Sequence, residues 1–298
     1  MGILMNRRSL LSAGLAAGLA ISVTATAATA QQSNLVFTAI PDQDETRLVE
    51  KFTAYAKYFE AKLGVPVKYL PVKSYPAAVT AFTNNQVQFG WFGGFTGVQA
   101  VLAVPGSQTL AQGAEDVAFT SYFIAHSSTG LQLSKELPKG IEGKSFTFGS
   151  RSSTSGRVFP EHFLRQAYPG KTPETIFSRV GFSGDHSRTL QLVQSGAFEV
   201  GVMDRIIYET EVKAGKVDPK MVSVIWETPP FPDYHWVARG DLDKTFGDGF
   251  TKKLATTILE ITDPQLLAAF GRSKFIPAKN EDYKVIEDVA KLTGLLNN

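Results

Sequence analysis

Apolar positions recur along this chain in two alternating periods. Residues 34–40 form an apolar run suited to a buried strand. Residues 44–63 then switch to helical spacing, with Leu48, Phe52, Tyr55, Phe59 and Leu63 on one face and Gly64 as the stop. A strand over 67–72, bounded by prolines at 66 and 71, a helix over 75–82 and a strand over 88–92 ending in Gly93-Gly94 complete a first series. A second series opens with a long strand over 119–126. It continues as strand 144–148, helix 155–167, strand 180–182, helix 185–195, strand 199–203, helix 205–214 and strand 222–226. After a Pro-rich stretch at 229–232, the pattern predicts a strand over 234–238 and helices near 243–260, 264–270 and 281–292.

This alternation predicts an α/β protein built from parallel-sheet layers, and a chain of 298 residues favours two lobes over one. The chain has two places to cross between them, 121–126 and 232–237. The expected division is therefore 31–121 with 235–298 as the first lobe and 122–234 as a second, inserted one. Ligands in such folds sit at the carboxyl ends of strands, where helices begin.

Residues 1–30 have the pattern of a signal peptide: Arg7-Arg8, an apolar stretch over 10–23, and Ala28-Thr29-Ala30 as a small-x-small cleavage site. Arg7-Arg8-Ser9-Leu10-Leu11 also resembles a twin-arginine signal, with an ordinary Sec signal as the alternative. Removing the segment takes 30 basic and 28 acidic residues to 28 of each, since only Arg7 and Arg8 are lost. A neutral protein has no long-range pull on nucleic acid or anionic membrane, so any anion must be recognised locally. The absence of cysteine excludes a lipidated Cys, thiol catalysis and Cys-ligated metal. An exported, periplasmic monomer without cofactor is expected.

The segment Ser150-Arg151-Ser152-Ser153-Thr154-Ser155-Gly156 follows a strand and opens a helix. A helix start carries N–H groups without intrahelical partners and partial positive charge. Hydroxyls around it, with Gly156 permitting close approach, make an anion site that needs no Lys or Arg; a heavily furnished N-cap is the plainer alternative. Gly93-Gly94-Phe95-Thr96-Gly97 could face it from the first lobe with backbone donors and the Thr96 hydroxyl. His186 stands at another helix start, where the dipole would keep it a neutral donor. Tyr75 and Tyr122 lie where a phenol could reach the cleft. Asp204 ends a strand and begins a helix; if it enters the cleft, it can accept a proton from a protonated oxyanion or pair with an amine. The four histidines, 126, 162, 186 and 235, show no metal-ligand spacing. Gly143-Lys144-Ser145 is no P-loop, because Pro138 stands where its first glycine belongs.

Ala39–Asp44, Trp91–Ala100, Ser152–Gly156, Phe182–His186 and Ile276–Asp282 together resemble the phosphate/phosphite/phosphonate solute-binding proteins of ABC importers, across essentially the whole chain beyond residue 30. Within that family the chain looks closest to a branch described as selenate-binding. The resemblance implies a type II periplasmic binding fold whose two lobes close on ligand at the hinge, with an ABC permease and its ATPase as partners. It also implies that Ser153, Thr154 and Ser155 hold a small tetrahedral oxyanion, with Tyr75 and His186 completing the shell. Asp204 departs from the neutral residue often found there. Such a carboxylate suits hydrogen selenite, phosphite or a phosphonate bearing a proton or amine better than fully ionised selenate. An enzyme alternative, a phosphoester or phosphonate hydrolase using Ser155, His186 and Asp204, lacks a Gly-x-Ser-x-Gly nucleophile elbow.

Overall fold

The computed structural model describes residues 33–296; the expected signal peptide lies outside them. Eleven strands occur among these residues: β1 (Leu35–Ala39), β2 (Val67–Tyr69), β3 (Phe89–Phe92), β4 (Gln108–Gly113), β5 (Ser121–His126), β6 (Ser145–Phe148), β7 (Arg179–Phe182), β8 (Val200–Asp204), β9 (Val222–Glu227), β10 (His235–Ala238) and β11 (Phe275–Pro277). They form a six-stranded sheet, β11-β4-β10-β3-β1-β2, and a five-stranded sheet, β7-β6-β8-β5-β9. Each sheet with its helices is one lobe.

The sheets are mixed, which corrects the expectation of parallel layers. β1 pairs parallel with β2 and β3, but β10 enters between β3 and β4 antiparallel to both. In the second sheet β6 pairs parallel with β7 and β8, while β5 runs antiparallel to β8 and β9. Two of the reversed strands, β10 and β5, are those by which the chain arrives from the other lobe; the third, β11, pairs antiparallel with β4 at the sheet edge. They need no helical crossover and so escape the constraint that keeps βαβ units parallel.

β5 belongs wholly to the second sheet, and the connections are 114–120 and 228–234. They run side by side, pinned where Phe119 and Phe231 exchange backbone hydrogen bonds of 2.8 and 2.9 Å.

The helix Glu45–Leu63 buries the five expected residues; Asp44 caps it by accepting from the Arg47 N–H, and Gly64 closes it at φ 76°. Its aromatic face meets the first sheet, where Phe37 stacks on Phe89 with 5.0 Å between ring centres and Trp236 packs edge-on against Phe59. Each fully buried ring contributes about 2–3 kcal/mol. Three helical expectations change. Residues 154–158 form a wide turn before the helix Phe159–Ala167. The stretch 243–260 splits into Leu242–Phe246 and Phe250–Leu259, because Gly247 and Gly249 take positive φ. The last helix begins at Lys284, after a short 3₁₀ turn.

Candidate anion-binding site

Beyond β6 the chain turns so that Ser153 caps the wide turn. Its hydroxyl accepts from the Gly156 N–H at 2.9 Å, and its carbonyl accepts from the Val158 N–H at 3.0 Å. Ser153, Thr154 and Ser155 are all buried. A Cβ on Gly156 would stand 2.9 Å from Ser153 Oγ, 3.1 Å from His186 Cε1 and 3.2 Å from Gly149 Cα, so only glycine lets loop and imidazole meet.

His186 opens the helix His186–Gln194, which Asp185 caps. Its own N–H donates to the Asp42 carbonyl of the other lobe at 2.9 Å. Its Nδ1 accepts from the Asp204 N–H at 3.2 Å. The ring proton therefore sits on Nε2, a buried donor with no partner among the described residues. Burial lowers the imidazole pKa to about 4, so the ring is neutral at physiological pH.

Tyr75 begins the helix Tyr75–Thr83, held by the Ser74 cap. Its phenol is buried and its hydroxyl has no partner among the described residues. Burial, reinforced by Asp42, Asp185, Asp233 and Asp204, raises its pKa well above the usual tyrosine range and keeps it a donor. Asp204 ends β8 and caps the helix Arg205–Lys213: Oδ1 accepts from the Ile207 N–H at 2.9 Å. Its Oδ2 has no donor within hydrogen-bond distance, although the Tyr234 phenol is near enough to favour the charged form. Burial raises the Asp204 pKa, against the pull of Arg272.

Beside the serine loop the structure thus leaves, without a partner among the described residues, two buried donors, Tyr75 Oη and His186 Nε2, and two buried carboxyl oxygens, Asp204 Oδ2 and Asp233 Oδ2; raised to about 7, Asp233 can carry its own proton, which leaves Asp204 Oδ2 as the acceptor. Each such group costs about 1–3 kcal/mol while unpaired. That set complements a small anion which accepts at several oxygens and donates one proton. A cleft of about 660 Å³ lies between Lys73 and Ser74 on one side and Arg151, Asp185 and Arg188 on the other, lined by the sequence neighbours of Tyr75 and His186.

A family model described as ABC transporter, phosphonate, periplasmic substrate-binding protein matches residues 37–283. The chain belongs to this family. It is 39% identical over 266 residues to the probable ABC transporter phosphite binding protein PhnD1 of Prochlorococcus marinus, covering 85% of this chain and 87% of that one. The structure of PhnD1 from that organism in complex with methylphosphonate superposes with a TM-score of 0.84, over 88% of this chain and 99% of the other. A binding protein component of an ABC phosphonate transporter from Pseudomonas aeruginosa, 19% identical, shares the fold with a TM-score of 0.75 over 88% and 87% of the two chains. These neighbours share a two-lobed periplasmic binding fold.

Phosphonate-family membership makes the chain a transport binding component and not an enzyme. The site agrees: His186 Nδ1 is occupied by the Asp204 N–H and Nε2 carries the proton, so the imidazole has no free lone pair with which to deprotonate Ser155.

Other expected residues take different places. The Phe95 ring is buried, and the residue meets the serine loop through its backbone N–H, which donates to Thr154 Oγ1 at 2.8 Å. Thr96 turns its hydroxyl to the Gly93 carbonyl of its own helix start. Tyr122 is not brought to the group; its hydroxyl donates to Glu209 and its ring packs edge-on against Tyr208. Sequence reasoning missed Asp233, whose Oδ1 accepts from the Gly94 N–H at 2.8 Å. Burial, with Asp204 and Asp116 nearby, pushes its carboxyl up to about 7. Its neighbours in sequence, Pro229–Pro232, read only as a linker.

Proposed function

We propose that this chain captures a protonated tetrahedral phosphorus oxyanion, such as hydrogen phosphite or the methylphosphonate monoanion, by closing its two lobes over the Ser153–Ser155 turn. It then delivers the anion to a membrane permease and its ATPase. The unpartnered set of Tyr75, His186 and Asp204 carries this reading. Two neutral donors and the helix start satisfy anionic oxygens, while Asp204 Oδ2 demands a proton from the ligand. Selenate and sulfate have none to give at neutral pH. Lobe boundaries at 121/122 and 234/235 belong to the same reading; β10, which begins at His235 in the first sheet, supports the second boundary, and β5, which begins at Ser121 in the second sheet, supports the first to within one residue. So do several contacts across the cleft: the His186 N–H to Asp42, the Phe95 N–H to Thr154, and the 2.9 Å ion pair of Arg47 with Glu211. Release as a periplasmic monomer after loss of 1–30 completes it.

Calorimetry on protein freed of retained ligand tests the choice. Phosphite and methylphosphonate should bind at pH 7, with selenate and sulfate at least about 100-fold weaker, a difference of about 2.7 kcal/mol. Selenate binding as tightly as phosphite would overturn the reading.

A further inference from the structure

The helix Glu45–Leu63 supplies one cation that the anion site does not use. Lys51 is half-buried, and its ammonium lies 4.9 Å from the centre of the Phe270 ring rather than on a carboxylate. It walls a small cavity of about 40 Å³ with Trp91 and Arg272 of the first lobe and with Asp204, Ile207 and Thr210 of the second. Because both lobes build that cavity, Lys51 and Asp204 share it only when the lobes are together. Arg272, the other cation there, is committed to Asp116 through Nε at 2.9 Å and Nη2 at 2.5 Å.

We propose that Lys51 is a positioning and specificity-determining residue that acts through Asp204, its ammonium holding that carboxylate, across the inter-lobe cavity, in the anionic form that accepts the ligand's proton. This rests on the proposed role of Asp204. An opposite charge facing a carboxylate favours ionisation, and a low-dielectric cavity strengthens the effect. The other groups facing Asp204 are the Arg272 guanidinium, the Asp116 and Asp233 carboxyls, the Tyr75 and Tyr234 phenols and the His186 imidazole. Asp42, Arg47 and Arg272 face Lys51 besides Asp204. Of the cations in this set only Lys51 and Arg272 wall the cavity; Arg272 pulls on Asp204 while ion-paired with Asp116, and Lys51 adds a second positive charge that has no ion-pair partner among the described residues. Desolvation lowers the Lys51 pKa to about 8, which leaves the ammonium mostly charged at neutral pH and sensitive to any anion brought near it.

Methylphosphonate affinity measured by calorimetry from pH 5 to 8 reads the coupling. In the wild type, affinity falls on the acid side as Asp204 takes up a proton and can no longer accept one. In Lys51→Met that acid limb should move up by on the order of half a pH unit, and in Lys51→Arg it should stay in place. Lys51→Gln repeats the neutral comparison, so that misfolding of one variant leaves the question answerable. In an Asp204→Asn background, Lys51→Met should change neither the limb nor the affinity. An unmoved limb in both neutral variants, or an equal effect with and without Asp204, overturns the role of Lys51. If Asp204→Asn alone leaves methylphosphonate binding and its pH profile unchanged, the role of Asp204 itself falls, and this inference with it.

Discussion

At the scale of single residues, the proposed site is built from atoms that the folded chain leaves unsatisfied, so stability and binding are expected to move in opposite directions. Tyr75 shows it most simply. Its hydroxyl is buried without a partner, so Tyr75→Phe removes a desolvated group and leaves the ring packing intact. The ligand-free protein should gain up to about 1 kcal/mol in denaturant unfolding, since removing an orphaned donor is neutral or stabilising. Methylphosphonate binding should weaken about tenfold to a hundredfold, because a hydrogen bond to a charged acceptor contributes about 1.5–3 kcal/mol. A variant that binds normally would place the phenol outside the site. His186 follows the same logic with an added constraint: its tautomer depends on the Asp204 N–H, so any change in the path of β8 rewrites which ring nitrogen faces the anion. Donors of this neutral kind hold an anion without the salt bridge that would slow its release to a permease.

Secondary-structure elements set the spacing of those atoms, and Gly156 is the tightest constraint among them. Gly156→Ala would drive a methyl against Ser153 Oγ and the His186 ring, with backbone at Gly149 behind. Stability should drop by about 1–3 kcal/mol, and methylphosphonate affinity should fall by more than about tenfold; calorimetry and thermal melting check the two separately. Normal binding by the alanine variant would mean that the turn is not packed against His186 in the bound state. How much of this was legible in the sequence follows from how local each feature is. The helix Glu45–Leu63 announces itself, because five apolar residues at helical spacing, an Asp cap and a Gly stop are all encoded within it. Strand–helix junctions are equally local, which is why the serine turn, Tyr75, His186 and Asp204 stand out as helix starts before any fold is known. β4 and β11 do not: one mixes glutamines with small residues, the other is three residues ending in proline, and each exists because a neighbouring strand pairs with it. The antiparallel entry of β10 is set by the path between lobes. Asp233, Lys51 and Arg272 reach the site region from connections and distant helices, and nothing around them in the chain marks them as anything but surface charge or linker; Asp42 lies in a segment that carries the family resemblance, but nothing local gives it a role.

For the whole molecule, the consequence is a buried store of opposed titrations, and it dictates an unusual pH profile. His186 and His235 are buried with pKa values lowered to about 4, against 6.5 for the free side chain. A depressed histidine pKa means that the unfolded chain binds the proton more tightly, so stability is lost as pH falls from about 6.5 towards 4. The loss is about 3 kcal/mol for each ring. Asp116 and Asp233 act in the other direction. Burial raises them to about 6 and about 7 from 3.8, so the folded state binds their protons more tightly and gains stability as pH falls through those values. The gains are of the same order, about 3–4 kcal/mol each. Among these four groups the two losses and two gains nearly cancel, so together they should change the unfolding free energy of the ligand-free protein by less than about 2 kcal/mol between pH 7 and pH 4.5, and the raised Asp204 carboxyl adds only a gain on acidification. Asp233→Asn breaks the balance, because it keeps the oxygen that accepts from the Gly94 N–H and removes one of the gains. That variant should be more stable than the wild type at pH 7.5, where a buried charge has been deleted, and should lose several kcal/mol on acidification to pH 4.5. Urea unfolding at the two pH values decides it: parallel profiles for the two proteins would mean that Asp233 is ionised throughout.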